Sequence, residues 1–133
     1  MTKKASQTLA QAGSADALVA KLASQTELDR DFITRMYGPY PALYQRIFGD
    51  FLQIKLDQLE QLDACTGDNA LQAILVHRFA GQLANLGFTQ LATAARETES
   101  LLTAQSHLAQ PCLVLLREAL VGIDRCPEVL SGQ

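Results

Sequence analysis

The residues best suited to chemistry are two histidines, His77 and His107, and three cysteines, Cys65, Cys112 and Cys126. Imidazole nitrogens and thiolates are common nucleophiles and metal ligands in proteins. No pair of them has a metal-site spacing such as Cys-x-x-Cys or His-x-x-x-His, so we expect no metal centre. The cysteines are odd in number and far apart, which favours free thiols in a reducing compartment. His107 falls in a predicted loop as a solvated residue, which leaves His77 as the main candidate.

His77 lies within an apolar segment that predicts an amphipathic helix. On a helical projection of about 100° per residue, one broad arc holds Leu71, Leu75, Phe79, Leu83 and Leu86. His77 falls nearly opposite, and its neighbours there are all small: Ala73, Ala80, Gly81 and Ala84. A surface of small side chains around one imidazole suits docking by another protein, and Gly81 leaves space beside the ring. The same small residues could instead pack against another helix, with His77 half-buried.

Four principal helices are predicted to position this segment. They run from Pro41 to about Ala64, from about Asn69 to Leu86 with Gly87 as C-cap, from about Thr89 to Ala104, and from about Ala109 or Pro111 to Asp124. Shorter helical pieces before them would begin at the N-caps Ser14 and Thr26. This pattern predicts an all-α fold, an antiparallel four-helix bundle with additional short N-terminal helices. The expected divisions are a partly helical N-terminal extension (1–26), the helical bundle (27–126) and a C-terminal tail (127–133).

The composition of the 133-residue chain agrees with a helical domain and excludes several functions. Its 22 leucines and 19 alanines favour helices, whereas valine and isoleucine, which favour strands, number only 5 each. A net charge of −3 argues against a general nucleic-acid binder, which needs a basic surface. No apolar run is long enough to cross a membrane, and no apolar segment follows Lys3 and Lys4 as in a signal peptide. We therefore expect a cytoplasmic protein that binds neither nucleic acid nor membrane.

The segment from His77 to Gly87 resembles the signature of histidine-containing phosphotransfer (HPt) domains. In that family a Lys-Gly pair follows the His, a Leu-Gly pair ends the helix, and the next helix closes on Leu-Glu. The matching residues here are His77, Gly81, Ala84, Leu86, Gly87, Leu91, Ala92, Ala95 and Glu99. In weaker form the resemblance covers about Leu28 to Ile123. Three positions depart from the pattern: Ala80 stands in place of Lys, Gln82 in place of Ser or Ala, and Thr98 in place of Leu.

The resemblance implies a phosphocarrier in a two-component multistep phosphorelay. His77 would be the phosphoacceptor, taking a phosphoryl group from an aspartyl phosphate on a receiver domain and passing it to another. Histidine suits this role because its ordinary pKa of about 6.5 leaves a neutral, nucleophilic nitrogen near neutral pH. The supporting surface would comprise Ala73, Arg78, Ala80, Gly81, Gln82 and Ala84. Arg46 and Lys55 on the preceding helix could help to dock an acidic partner face, although ordinary surface charge is the simpler interpretation.

The implied partners are response-regulator receiver domains and a hybrid sensor histidine kinase. In this family Mg²⁺ belongs to the receiver, so we expect no cofactor, and the sequence has no Gly-rich nucleotide loop that would make the chain a kinase. We expect a monomer. One alternative is a degenerate relative, without the usual Lys at position 80, that binds and regulates a kinase or receiver without phosphotransfer. Another is a helical adaptor unrelated to phosphorelays, which a buried His77 would favour.

Overall fold

The computed structural model describes residues 26–127, and this part of the chain contains five helices and no strand. The helices are α1 (Arg30–Tyr37), α2 (Pro41–Ala64), α3 (Asn69–Leu86), α4 (Thr89–Thr103) and α5 (Ala109–Gly122). The all-α class is therefore confirmed, and the four long helices lie close to their predicted bounds. The predictions for 1–25 and 128–133, including Ser14 as an N-cap, concern residues outside the described range. None of the described helices is long and apolar enough to span a membrane.

Aspartate side chains cap the beginnings of α1 and α3. Oδ1 of Asp29 accepts a hydrogen bond from the N–H of Phe32, and Oδ1 of Asp68 accepts one from the N–H of Leu71. Each carboxylate thus bonds one of the N–H groups that the first turn of a helix leaves unpaired. The prediction that Thr26 caps this first segment was wrong, because Asp29, a stronger N-cap residue, begins α1 instead.

Gly87 makes the tight turn between α3 and α4. It is the predicted C-cap, and its φ of 92° lies in the left-handed region that side chains disfavour. A Cβ atom at this position would lie 2.7 Å from Cγ1 of Ile33 on α1. The N–H of Asp29 donates to the carbonyl of Gly87 at 2.8 Å. The start of α1 therefore packs directly onto the α3–α4 turn and needs a glycine there.

Aromatic side chains connect α2 to the same turn. The hydroxyl of Tyr44 is buried and donates to the carbonyl of Leu86 at 2.7 Å, and burial raises the pKa of this phenol. The ring centroid of Phe48 lies 5.8 Å from that of Phe88, the residue that precedes α4. Burial of these large rings contributes strongly to the core, since each removes a large apolar area from water.

A buried lysine joins α2 to the end of α5. Lys55 is 4% exposed, and its Nζ donates to the carbonyls of Leu120 and Ile123. These carbonyls belong to the end of a helix, where backbone acceptors lack partners within the helix. Burial lowers the pKa of the Lys55 amine. The prediction that Lys55 helps to dock a partner was therefore wrong, because its amine is used inside the fold, whereas Arg46 is exposed.

Candidate functional site

His77 lies in the middle of α3 and points to solvent, with 74% of its side chain exposed. Its Nδ1 atom is 3.1 Å from both carboxylate oxygens of Glu99, on α4. Glu99 is only 29% exposed, so the carboxylate is partly shielded while the imidazole is open. The exposure of His77 argues against the interpretation in which it is a half-buried residue of the core.

The contact with Glu99 assigns the roles of the two ring nitrogens. An ionised carboxylate can only accept hydrogen bonds, so Nδ1 of His77 must carry the proton that it donates. In the neutral ring, Nε2 then holds the free lone pair. The pair therefore presents a nucleophilic nitrogen, Nε2, to solvent, and the hydrogen bond from Nδ1 to Glu99 fixes the orientation of the ring.

The two helices that carry this pair form the most extensive helix contact in the described part of the chain. Small side chains on both helices lie at or near zero exposure and belong to the common core: Ala80, Ala92 and Ala95. Alanine allows helix backbones to approach closely, because it adds only a methyl group between them. The turn at Gly87 joins the two helices directly. Close packing and a short turn together set the position of Glu99 relative to His77.

The structure corrects the predicted surface around His77. Ala80 is 2% exposed and not part of the open surface, and Ala73 and Ala84 are half-buried against the core. Leu71, predicted to face inward, is exposed. The projection assumed a single buried arc on α3, whereas this helix packs against both α2 and α4. The small residue Ala80 therefore packs within the fold, while the imidazole stays exposed, and docking of a partner on this surface stays a prediction.

Gly81 is the predicted surface residue that remains fully open. It is exposed, and a Cβ atom there would meet nothing within 4 Å. Ile74, one turn before His77, is an apolar neighbour with 51% exposure. The imidazole thus lies between an open glycine and an exposed apolar side chain, in two shallow grooves between α3 and α4.

The two remaining predicted residues differ in their availability. Arg78 is exposed and lines one groove together with His77 and Ile74. Gln82 is half-buried, and its Nε2 donates to Oε1 of Gln58 on α2 at 2.8 Å. The amide of Gln82 therefore serves packing between α2 and α3, and Arg78 is the better candidate for contact with a partner.

Two residues near His77 were not predicted as part of the site. In the sequence, Glu99 is identified only as a match to the family pattern. Its contact with His77 joins residues that are 22 positions apart in the sequence. Arg96 lines the other groove with His77 and Gly81, although its charged neighbourhood in sequence suggests a plain solvated face. No periodic signal links residues on different helices, so only the packing of α3 against α4 could have indicated either one.

The other candidate residues lie apart from this site. His107 is exposed between α4 and α5. The three cysteines form no disulfide within residues 26–127. Burial raises the pKa values of Cys65 and Cys126, which makes them poorer nucleophiles. In the same part of the chain, no group of three or more His, Cys, Asp or Glu side chains could hold a metal ion.

Comparisons of the chain with protein-family models, curated proteins and solved structures found no match. What the site can do therefore has to be inferred from its own residues and their geometry.

Proposed function

We propose that the protein is a phosphocarrier, with His77 accepting a phosphoryl group from an aspartyl phosphate on a receiver domain and passing it to another. The observation that carries this proposal is the exposed imidazole held at Nδ1 by Glu99 at 3.1 Å. A histidine packed in the core would not have its nucleophilic nitrogen open to solvent. A phosphoacceptor requires that opening, because the donor phosphate sits on another protein.

The transfer step follows from this geometry. The lone pair of Nε2 attacks phosphorus, the bond between phosphorus and the aspartyl oxygen breaks, and the carboxylate of the receiver leaves with the bonding electrons. The ring keeps its Nδ1 proton and becomes positively charged, and the adjacent carboxylate of Glu99 stabilises that charge. Phosphoryl transfer needs in-line positioning and charge neutralisation more than covalent work by the protein. The nucleophile on this side of the complex is therefore one oriented imidazole.

The surface around His77 supports docking of a folded partner. Gly81 leaves open space one turn after the ring, and Ile74 offers an exposed apolar contact one turn before it. Receiver domains would contribute the Mg²⁺ and the acidic residues of the transfer, so the chain itself needs no metal or nucleotide site. A hybrid sensor histidine kinase would supply the phosphoryl group upstream. We further propose that the protein works in the cytoplasm as a monomer.

We also propose that α2 to α5 form an antiparallel four-helix bundle. The tight turn at Gly87 supports opposite directions for α3 and α4. Contacts between helices that follow each other in the chain, together with the hydrogen bonds from Lys55 on α2 to the end of α5, support a closed arrangement. In such a bundle the site would lie on the outer surface between α3 and α4.

The test is transfer from receiver domains charged with radiolabelled acetyl phosphate. We expect the wild-type protein to acquire a label that is stable in base and labile in acid, as a phosphoramidate is. The His77→Gln variant should acquire none, whereas His107→Gln, which alters the other exposed histidine, should be labelled normally. A label that persists in His77→Gln would contradict the proposal.

A second function is favoured by one specific observation, the absence of a lysine at position 80. A protein that lacks this cation could bind a kinase or receiver and regulate it without transfer. In that case the same experiment gives no label on the wild-type protein, and binding to the partner continues undiminished in His77→Ala.

A further inference from the structure

The groove on one side of His77 contains a cation that α4 supplies. His77, Ala80 and Gly81 line this groove from α3, and residues that include Arg96, Glu99 and Ser100 line it from α4. Arg96 precedes Glu99 by three residues, and side chains at this spacing share one face of a helix. The arginine is thus next to the carboxylate that holds the imidazole.

Position 80 is poorly suited to supply the same charge. Ala80 is 2% exposed and belongs to the hydrophobic core where α3 meets α4. Its methyl group lines the groove, but the start of a lysine chain at this position would have to fit into the packed core. Because alanine carries no charge, a cation for the site has to come from another residue that lines the groove.

Arg96 has no competing carboxylate partner within the described residues. The ion pairs formed there join His77 to Glu99 and Arg117 to Asp63. Glu99 would be the natural partner of an arginine one turn away, but its two oxygens are directed at Nδ1 of His77. The guanidinium of Arg96 is exposed and remains available for an anion.

We propose that Arg96 binds the phosphoryl oxygens on Nε2 of His77, in the role that a lysine at position 80 would otherwise have; this inference rests on the proposed phosphocarrier function. During transfer the bond from phosphorus to the aspartyl oxygen breaks as the bond to Nε2 forms. The carboxylate leaves with the bonding electrons, and the Nδ1 proton stays directed at Glu99. The negative charge of the phosphoryl group persists throughout. The planar guanidinium matches phosphate oxygens in geometry and neutralises that charge.

The test compares transfer rates from one phosphorylated receiver domain to four proteins: the wild type, Arg96→Gln, Arg96→Lys and Arg35→Gln. We expect Arg96→Gln to accept phosphate about tenfold more slowly, since a charge-assisted hydrogen bond is worth about that factor. Arg96→Lys should retain an intermediate rate. Arg35→Gln removes an equal charge from an exposed position on α1 that lines neither groove, and it should remain near the wild-type rate.

A second measurement separates direct contact from a general effect of charge. The phosphoryl group on His77 can be titrated by ³¹P NMR, and its pKa should rise in Arg96→Gln alone, because loss of a bound cation disfavours the dianion. Equal transfer rates and titrations in wild type and Arg96→Gln would overturn the role of Arg96 and leave the phosphocarrier function intact. Equal slowing in Arg35→Gln would also overturn it. A wild-type protein that accepts no label contradicts the proposed function itself, and this inference with it.

Discussion

Gly81 provides a direct test of the docking surface, because the fold gives no internal reason for a glycine there. It lies within α3, and a Cβ atom would meet nothing within 4 Å. Glycine in a helix interior costs about 1 kcal/mol relative to alanine. We therefore expect Gly81→Ala to raise the free energy of unfolding by about 0.5–1 kcal/mol.

Gly49 is the matched control on another helix. It lies within α2, is exposed, and a Cβ atom at this position would also meet nothing within 4 Å. Gly49→Ala should give the same gain as Gly81→Ala, measured for both by urea denaturation. A loss of stability in Gly81→Ala would refute the argument that the space beside it is open within the folded chain.

The two glycines should differ when a partner binds. Gly81→Leu places a large side chain beside His77, and overpacking a fitted contact costs about 1–3 kcal/mol. Binding of a receiver domain that charges His77 should therefore weaken by roughly 5- to 150-fold. Gly49→Leu should bind as the wild type does, which calorimetric titration would show. If Gly81→Leu binds as tightly as Gly49→Leu, the open glycine has no part in docking.

Three further predictions concern stability. Lys55→Met keeps an apolar chain but removes the amine that donates to the carbonyls of Leu120 and Ile123, of which Leu120 alone keeps a backbone donor, the N–H of Ile123. Denaturation should therefore show a loss of about 1–3 kcal/mol. Arg117 lowers the pKa of Asp63 below its ordinary 3.8, so the pair stabilises the fold above that pH and less as pH falls below it. Asp63→Asn should lower the free energy of unfolding by less than about 1 kcal/mol at pH 7, because the pair is exposed. The same measurement made below pH 3.8 should give a smaller difference between the variant and the wild type. Gly87→Ala should lower the free energy of unfolding more than Gly67→Ala, because both glycines have positive φ but only a Cβ atom at Gly87 would clash with Ile33. Equal losses in the two variants would mean that the side chain of Ile33 moves aside at little cost.

The helices of this fold could be predicted because their signals are local. Pro41 begins a helix in its first turn, Gly87 ends one in a left-handed conformation, and apolar residues repeat at helical spacing between such points. The start of α1 was harder to predict, since Thr26 and Asp29 are both acceptable N-caps. The structure uses Asp29, whose N–H also bonds to Gly87 far along the chain.

The site could be predicted only in part, because its members come from two helices. His77 and Gly81 stand out within one helix, by residue type and by spacing. Ala80 was misplaced, since the projection of α3 contains no information on how many neighbours that helix has. Glu99 and Arg96 depend on the register between α3 and α4, which no pattern within either helix specifies.

Because the site is divided between two helices, the residue at position 80 affects the orientation of His77 as well as the packing of the helices. The contact from Nδ1 of His77 to Glu99 holds at 3.1 Å only while α3 and α4 remain close, and the buried Ala80 lies in the core between them. A larger residue such as leucine would push the helices apart and release the proton-bearing nitrogen, although no atom of the pair is changed. The small side chain at position 80 thus maintains the orientation of the imidazole. A cation that Arg96 supplies from α4 would add charge beside the imidazole and leave the packing at position 80 unchanged.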